Sequence, residues 1–241
     1  MIPKTIWQTW KTHQLPPIAR TCRQSWINLN PDHAVHLHDD EQCRELARDF
    51  GGDVLAAYDR LPLGVMKADF WRYLTLYRHG GLYADLDTTC RTPVRNWMPD
   101  GASFVVGPER LGLCCFCQWA FGAAPKHAIL EHVIELVCAR CDTPPSLHFV
   151  HHVTGPAAFT AAFDAYLAAT RLPARAEWDN PGSAGVLTPP AELATRGIRI
   201  FPYRHFYTDA VFHHFGGDQW AAQPGYTSWK PAVNALIGNR D

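Results

Sequence analysis

Apolar residues recur along this chain with two alternating periods, and the alternation predicts an α/β fold. Residues 2–10 begin extended, with Pro3 at the start, and read as a first strand entering a core. Leu15-Pro16-Pro17 forces a bend, after which Ile18, Cys22, Trp26 and Leu29 fall at helical spacing. Asn30-Pro31-Asp32 marks a turn, and residues 34–38 form a second short strand running into Asp39-Asp40. Residues 41–50 read as a helix ended by Gly51-Gly52, and residues 54–61 as another. From 64 to 79, Val65, Met66, Phe70, Tyr73, Leu74 and Tyr77 keep the period of a helix that Gly80-Gly81 stops. Residues 82–86 then read as a buried strand with Leu82, Ala84 and Leu86 on one face. Such alternation predicts a mostly parallel sheet covered on both faces, with ligands at the carboxyl ends of its strands.

Beyond residue 87 the pattern loosens. Residues 103–107 and 118–123 read as strands, the second flowing through Pro125 into a helix that reaches about Cys141. Thr154-Gly155-Pro156 has the form of a helix start, with Thr154 as cap and Pro156 in the first turn, and the helix runs to Thr170. Residues 177–185 are polar and carry glycine, the signature of a mobile loop, and residues 186–190 and 198–203 read as edge strands. Residues 211–220 set His213-His214 and two glycines between aromatics. No repeat, low-complexity tract or linker interrupts the chain, so residues 1–241 read as one domain.

A 47% hydrophobic content over 241 residues supports an ordinary core. The net charge of −1 and pI near 6.9 supply no field that would recruit nucleic acid, which argues against a nucleic-acid binder. The start lacks the apolar stretch of a signal peptide, and no run reaches the roughly 20 apolar residues that span a bilayer. The expectation is a cytoplasmic protein, compatible with peripheral contact at the inner membrane. Of eight cysteines, Cys115, Cys117, Cys138 and Cys141 have a spacing that would suit zinc. Reduced, packed thiols are the simpler account, because cysteine is commonly buried and Cys138 and Cys141 fall on a predicted amphipathic helix.

The chemistry concentrates in residues 67–89. If the strand runs through residue 86, Tyr83, Asp85 and Asp87 project from one face at its carboxyl end. Asp69 and Arg72, three apart on the preceding helix, project together. Four charges beside a buried strand are costly unless paired, and a divalent metal with an anionic ligand would pair them. Two carboxylates with an imidazole from His213 or His214 suit Mn²⁺. A metal-bound diphosphate is a good leaving group, so the parts suggest transfer of a group from a nucleoside diphosphate.

Ile2-Pro-Lys-Thr-Ile-Trp-Gln-Thr-Trp10, Asn30-Pro-Asp32, Leu37-His-Asp-Asp40, Lys67-Ala-Asp-Phe-Trp-Arg72 and Gly80-Gly-Leu-Tyr-Ala-Asp-Leu-Asp87 occur here in a familiar order. Phe121-Gly-Ala-Ala-Pro-Lys-His127, Thr154-Gly-Pro156 and His213-His-Phe-Gly-Gly217 continue it. In these blocks the chain resembles the glycosyltransferase family defined by a DXD sugar-binding region, which includes fungal initiating α-1,6-mannosyltransferases and bacterial capsule and lipopolysaccharide transferases. The resemblance implies a GT-A fold: a Rossmann-like mixed sheet flanked by helices, with the DXD at a strand end. It also implies a nucleotide-sugar donor (UDP- favoured over GDP-), Mn²⁺ or Mg²⁺, a glycan or glycolipid acceptor and retention of anomeric configuration. By resemblance, Asp87 binds the metal, Asp85 bridges toward ribose or metal, and Asp69 and Arg72 hold hydroxyls of the transferred hexose. Gln8 and Trp10 lie near the base, and spacing to Gly217 favours His214 over His213 as metal ligand. Three positions depart from the family pattern: Trp7 replaces a histidine, His38 a tryptophan, and Gln118 an asparagine.

Blander and rival readings stand beside this one. Asp85 and Asp87 would also suit a solvated turn, and Asp69 with Arg72 a surface ion pair worth about 0.3–0.5 kcal/mol. Trp7 and Trp26 read as packing residues, and Glu109 suits the surface as well as a cleft. Asp85-Leu-Asp-Thr-Thr89 also resembles the motif of haloacid-dehalogenase phosphotransferases, with Asp85 as phosphoryl acceptor and Asp87 as acid/base. That motif normally ends the first strand of its fold, whereas here it follows two earlier ones. A catalytically silent sugar-binding module is the third reading, and intact Asp69, Arg72, Asp85 and Asp87 argue against it.

Overall fold

A computed structural model of the chain describes residues 1–109, 115–178, 188–214 and 229–238. Strand β1 (Thr5–Thr9), helix α1 (Pro17–Leu29), β2 (Ala34–His38), α2 (Asp40–Asp49), α3 (Gly52–Arg60) and α4 (Gly64–His79) follow the predicted alternation to within a few residues. Then come β3 (Gly81–Ala84), β4 (Thr88–Cys90), β5 (Phe104–Val106), β6 (Ala120–Ala123), α5 (Ala128–Arg140), α6 (Phe149–Val153) and α7 (Pro156–Ala169). Helix α8 (Ala191–Thr195), β7 (Ile198–Ile200), β8 (Val211–His213) and α9 (Trp229–Gly238) complete the described strands and α-helices. Residues 179–185 of the expected loop and 186–187 of the expected strand lie outside the described residues, as do Cys114 and residues 215–220 of the aromatic tail, while residues 188–190 join neither sheet.

Six strands form one sheet in the order β2-β1-β3-β6-β5-β7. It is mixed rather than mostly parallel. β1 runs parallel to β2 and β3, and β5 parallel to β7, but β6 lies antiparallel to both β3 and β5. The early pairs follow from helical crossovers, which return the chain in the same direction. The reversal at β6 lies beyond the regular alternation, where the pattern had loosened.

Both faces are covered. Ile6, Leu82 and Ala120 pack with Trp26 of α1 on one side. Trp7, Tyr83 and Phe121 pack with Phe70, Trp71 and Tyr73 of α4 and with Phe159 of α7 on the other. Tyr73, Phe121 and Phe159 meet with centroids 4.8–6.2 Å apart, the geometry that aromatic pairs favour.

The junction between α4 and β3 depends on its two glycines. Gly80 has φ +66° and Gly81 φ +109°, a region that penalises a side chain. A Cβ on Gly80 would lie 2.6 Å from Pro125 Cδ and 2.8 Å from Pro3 Cδ, and one on Gly81 would lie 2.6 Å from the Thr5 carbonyl oxygen. Trp7 Nε1 donates to the Gly80 carbonyl at 2.8 Å, tying β1 to the same junction. The two aromatic departures from the family pattern meet here. Trp7 on β1 and His38 on β2 are in edge contact at 5.5 Å, and His38 also packs against Trp71 at 5.3 Å.

Candidate functional site

Strand β3 stops at Ala84, two residues before the predicted end, so Asp85 and Asp87 sit in a turn and not on an alternating strand face. The Asp85 backbone N–H donates to the Trp119 carbonyl at 2.8 Å. The Thr88 N–H and hydroxyl both donate back to the Asp85 carbonyl, at 3.1 and 2.5 Å, closing the turn. Leu86, between the two acids, is 3% exposed and packs in a small cluster with Leu15, Ala19 and Cys22. Burying that one apolar side chain against α1 leaves both aspartates on the open side, lining one cleft.

After the turn, β4 pairs antiparallel with β8, placing Thr88 opposite His213. This two-stranded ladder carries the distant histidine to the aspartates. His213 Nε2 lies 3.3 Å from Asp87 Oδ1, and its ring stacks on Trp119 with centroids 4.3 Å apart and an interplanar angle of 10°. His214, the residue favoured from spacing, faces elsewhere: its Nε2 is 2.9 Å from Thr89 Oγ1 and 3.6 Å from Cys22 Sγ. Neighbouring residues of an extended segment point to opposite sides, so the His213 ring faces the Asp87 carboxylate, while His214 meets Asp87 through its backbone N–H, which donates to the Asp87 carbonyl at 2.9 Å. Burial lowers the His214 pKa below the usual imidazole range.

One ligand atom from each of Asp85, Asp87 and His213 lies within 4.8 Å of the others. Ligand atoms about 2.1 Å from an octahedral ion stand about 3–4 Å apart, so small side-chain adjustments bring this trio to one ion. Oxygen donors with one imidazole match Mn²⁺ or Mg²⁺ better than a soft metal.

Arg72 and Asp69 come from the middle of α4. Arg72 Nη2 lies 3.0 Å from Asp69 Oδ1 and 3.4 Å from Asp85 Oδ1, Nη1 donates to the Gln118 carbonyl at 3.0 Å, and the guanidinium lies over the Tyr83 ring at 4.5 Å. The Tyr83 hydroxyl donates to Asp85 Oδ1 at 2.5 Å. The side chains of Arg72 and Asp69 are 5% and 3% exposed, so this is a buried pair and not the surface pair considered above. Burial opposes the charge on Arg72, yet Asp85, Tyr83 and Asp69 together hold its pKa above the usual value. Burial lifts Asp69 to about 6 against the pull of Arg72 and Thr154. It raises Asp85 as well, with Arg72 pulling down and Asp87 pushing up.

The cleft has a volume of about 430 Å³. Trp10, Arg72, Tyr83, Asp85 and Asp87 line it, as does Trp229 of α9, which the sequence reading had not singled out. Trp229 follows a stretch without clear periodicity, so its approach to the cleft left no local signal. Asp69 and Gln8 are not on the wall. Gln8 is fully buried beneath it, its Oε1 accepting from Arg23 Nη1 at 2.9 Å. Glu109 lies off the wall too, its carbonyl accepting the Tyr207 hydroxyl and its N–H donating to the Cys115 carbonyl at 2.7 Å.

Among the described residues the cysteines form no metal-binding group. Cys117 is buried and donates to the Ala120 carbonyl, and Cys141 donates to that of Cys138, as packed thiols do. No described helix is long and apolar enough to cross a membrane.

Residues 16–104 match the family described as glycosyltransferase sugar-binding region containing DXD motif, so the resemblance read from the sequence holds over that stretch. The chain is 35% identical over 197 residues to the initiation-specific alpha-1,6-mannosyltransferase of Schizosaccharomyces pombe, covering 69% of this chain and 49% of that one. With the Candida albicans protein of the same name it shares 31% over 162 residues, 56% of this chain and 42% of the other. With inositol phosphoceramide mannosyltransferase 3 of Schizosaccharomyces pombe it shares 43% over 90 residues, 37% and 25%. It thus spans half or less of the length of these relatives. Among solved structures, the PaToxG glycosyltransferase superposes with a TM-score of 0.56 at 16% identity, over 69% of this chain and 70% of that one. The ligand-free glycosyltransferase domain of the YGT toxin superposes with a TM-score of 0.52 at 8% identity, over 70% and 78%. The fold is therefore of GT-A type, as the resemblance implied. The phosphotransferase alternative finds no support in these likenesses.

Proposed function

We propose that this relative of the DXD-motif glycosyltransferases is a metal-dependent enzyme that moves a hexose from a nucleoside diphosphate to a hydroxyl of a glycan or glycolipid, with retention. The observation that carries the reading is the meeting of Asp85, Asp87 and His213 beside Arg72 in one cleft, inside the region that matches the family. The names of these relatives make mannose the first sugar to test.

Asp87 and His213 would hold Mn²⁺ or Mg²⁺, with Asp85 as third ligand or as a bridge toward the ribose. The chemistry supplied by the bound ion is neutralisation of the charge left on a departing diphosphate. Arg72 faces the space beside the aspartates and would donate to hydroxyls of the transferred sugar. Tyr83 and Arg72 both engage Asp85 Oδ1, and so fix which of its lone pairs remain for a ligand. Trp10 offers a ring to a nucleotide base. Gln8 supports β1 from below through Arg23. Asp69, enclosed beneath the wall, acts by orienting Arg72.

The preference for UDP- over GDP-sugars is part of the proposal. A panel of UDP- and GDP-hexoses with Mn²⁺, read by release of nucleoside diphosphate and by transfer to a mannoside acceptor, tests it. Release from one donor with retained anomeric configuration in the product supports the reading. Phosphate release without sugar transfer, or no turnover of any donor, overturns it.

A further inference from the structure

The Thr154-Gly155-Pro156 motif has so far no part in the proposed site, since none of its residues lines the cleft. The expected helix cap is not its role. The N-cap of α7 is Gly155, and Thr154 makes no capping bond there. Thr154 is instead fully buried, and its hydroxyl lies 2.9 Å from Asp69 Oδ2 and 3.4 Å from the Val150 carbonyl oxygen. That carbonyl already accepts the backbone N–H groups of Thr154 and Gly155, at 3.1 and 2.8 Å. The hydroxyl proton therefore goes to the carboxylate, the nearer and charged acceptor.

The rest of the motif permits this placement. A Cβ on Gly155 would lie 2.8 Å from His151 Cα and 3.0 Å from the Val150 carbonyl oxygen, so only glycine lets α6 turn this tightly into α7. Pro156 takes the first position of α7, where a missing N–H leaves no intrahelical bond unmade.

Around Asp69 the enclosure is complete on both oxygens. Gln118 Nε2 donates to Oδ1 at 2.9 Å, Arg72 Nη2 lies 3.0 Å from the same oxygen, and Thr154 donates to Oδ2. Tyr73 steadies this shell: its hydroxyl lies 2.5 Å from Gln118 Oε1 and 2.7 Å from the Thr154 carbonyl. Asp69 itself is 2% exposed.

We propose that Thr154 is a positioning residue of the donor cleft: its hydroxyl fixes the Asp69 carboxylate, and through it the Arg72 guanidinium that faces the transferred sugar. The proposal rests on the glycosyl-transfer reading. Arg72 is shared between Asp69 and Asp85, at 3.0 and 3.4 Å. A carboxylate freed to rotate about its Cβ–Cγ bond releases the guanidinium toward Asp85, away from the sugar.

The test compares Thr154→Val, Thr154→Ser, Asp69→Asn and the Thr154→Val/Asp69→Asn pair by calorimetric binding of nucleotide-sugar and of nucleoside diphosphate with Mn²⁺. Thr154→Val weakens nucleotide-sugar binding by about 10- to 100-fold, the range for one hydrogen bond to a buried charge, and leaves nucleoside diphosphate binding unchanged. Thr154→Ser restores it, and the pair is no weaker than Asp69→Asn alone. Wild-type affinity in Thr154→Val, equal loss for both ligands, or no rescue by serine overturns the proposal. If the wild type binds no nucleotide-sugar at all, the glycosyl-transfer reading has failed instead. The Arg72 guanidinium ¹⁵N resonances then decide the positioning role, which requires them to shift in Thr154→Val and not in Thr154→Ser.

Discussion

Replacing Arg72 with methionine removes the guanidinium while keeping an unbranched side chain of similar reach. The substitution deletes the bond to the Gln118 carbonyl, the contacts with Asp69 and Asp85 and the packing over Tyr83. What remains is an Asp69 carboxylate buried without its counter-charge, and removing one partner of such a pair costs about 3–5 kcal/mol. The cost depends on pH. Asp69 already stands at about 6 with Arg72 present, and Arg72 is the largest influence pulling it down, so the substitution raises it further. A carboxyl raised in the folded state binds its proton more tightly there than in the unfolded chain, so its contribution to stability falls as pH rises from about 4 through its folded value. That fall continues to higher pH in the variant. At pH 5 Asp69 is mostly neutral in both proteins, and the difference shrinks to about 1–2 kcal/mol. Urea melts without metal or nucleotide, at pH 7.5 and pH 5, measure both values. Adding Asp69→Asn to the variant should recover part of the loss at pH 7.5. A cost below about 1 kcal/mol at pH 7.5, or the same cost at both pH values, would refute the buried-pair argument.

Three further outcomes are expected. His213→Ala weakens Mn²⁺ binding by about 10- to 100-fold in calorimetric titration, whereas His214→Ala changes it by less than about 3-fold; the reverse order would return the ligand role to His214. Gly80→Ala costs more than about 1 kcal/mol in urea melts, because a side chain at that φ collides with Pro125 and Pro3; a neutral result would show that the junction can relax. Trp10→Ala weakens nucleoside diphosphate binding by about 2- to 10-fold, the range for an aromatic contact, and an unchanged affinity removes Trp10 from the base site.

Much of the scaffold was legible because its signals were local. The Gly80-Gly81 stop could be read from two letters, and the structure supplies the reason in the positive φ angles and the proline contacts. The early helices were written in apolar spacing, and the shared destination of Asp69, Arg72, Asp85 and Asp87 in their motif. What escaped depended on partners distant in sequence. Alternation predicted that Asp85 and Asp87 share a strand face, but Leu86 anchors to α1 and turns both outward from a loop. Spacing favoured His214, yet the register of β4 with β8 presents His213. Neither Trp7 nor His38 announces the other, and only the pairing of β1 with β2 brings the two rings into edge contact. Thr154 looked like a cap because a threonine shortly before a first-turn proline commonly is one, and nothing local pointed to a carboxylate on α4.

The most direct test of the whole account is hexose transfer from a nucleoside diphosphate donor, compared between wild type and Asp87→Asn with Mn²⁺ titrated against a chelator. The account predicts transfer that rises with Mn²⁺, vanishes on chelation, and falls to background in the variant while its thermal melt stays close to wild type. Full transfer in the presence of the chelator, or wild-type rates in Asp87→Asn, would contradict it.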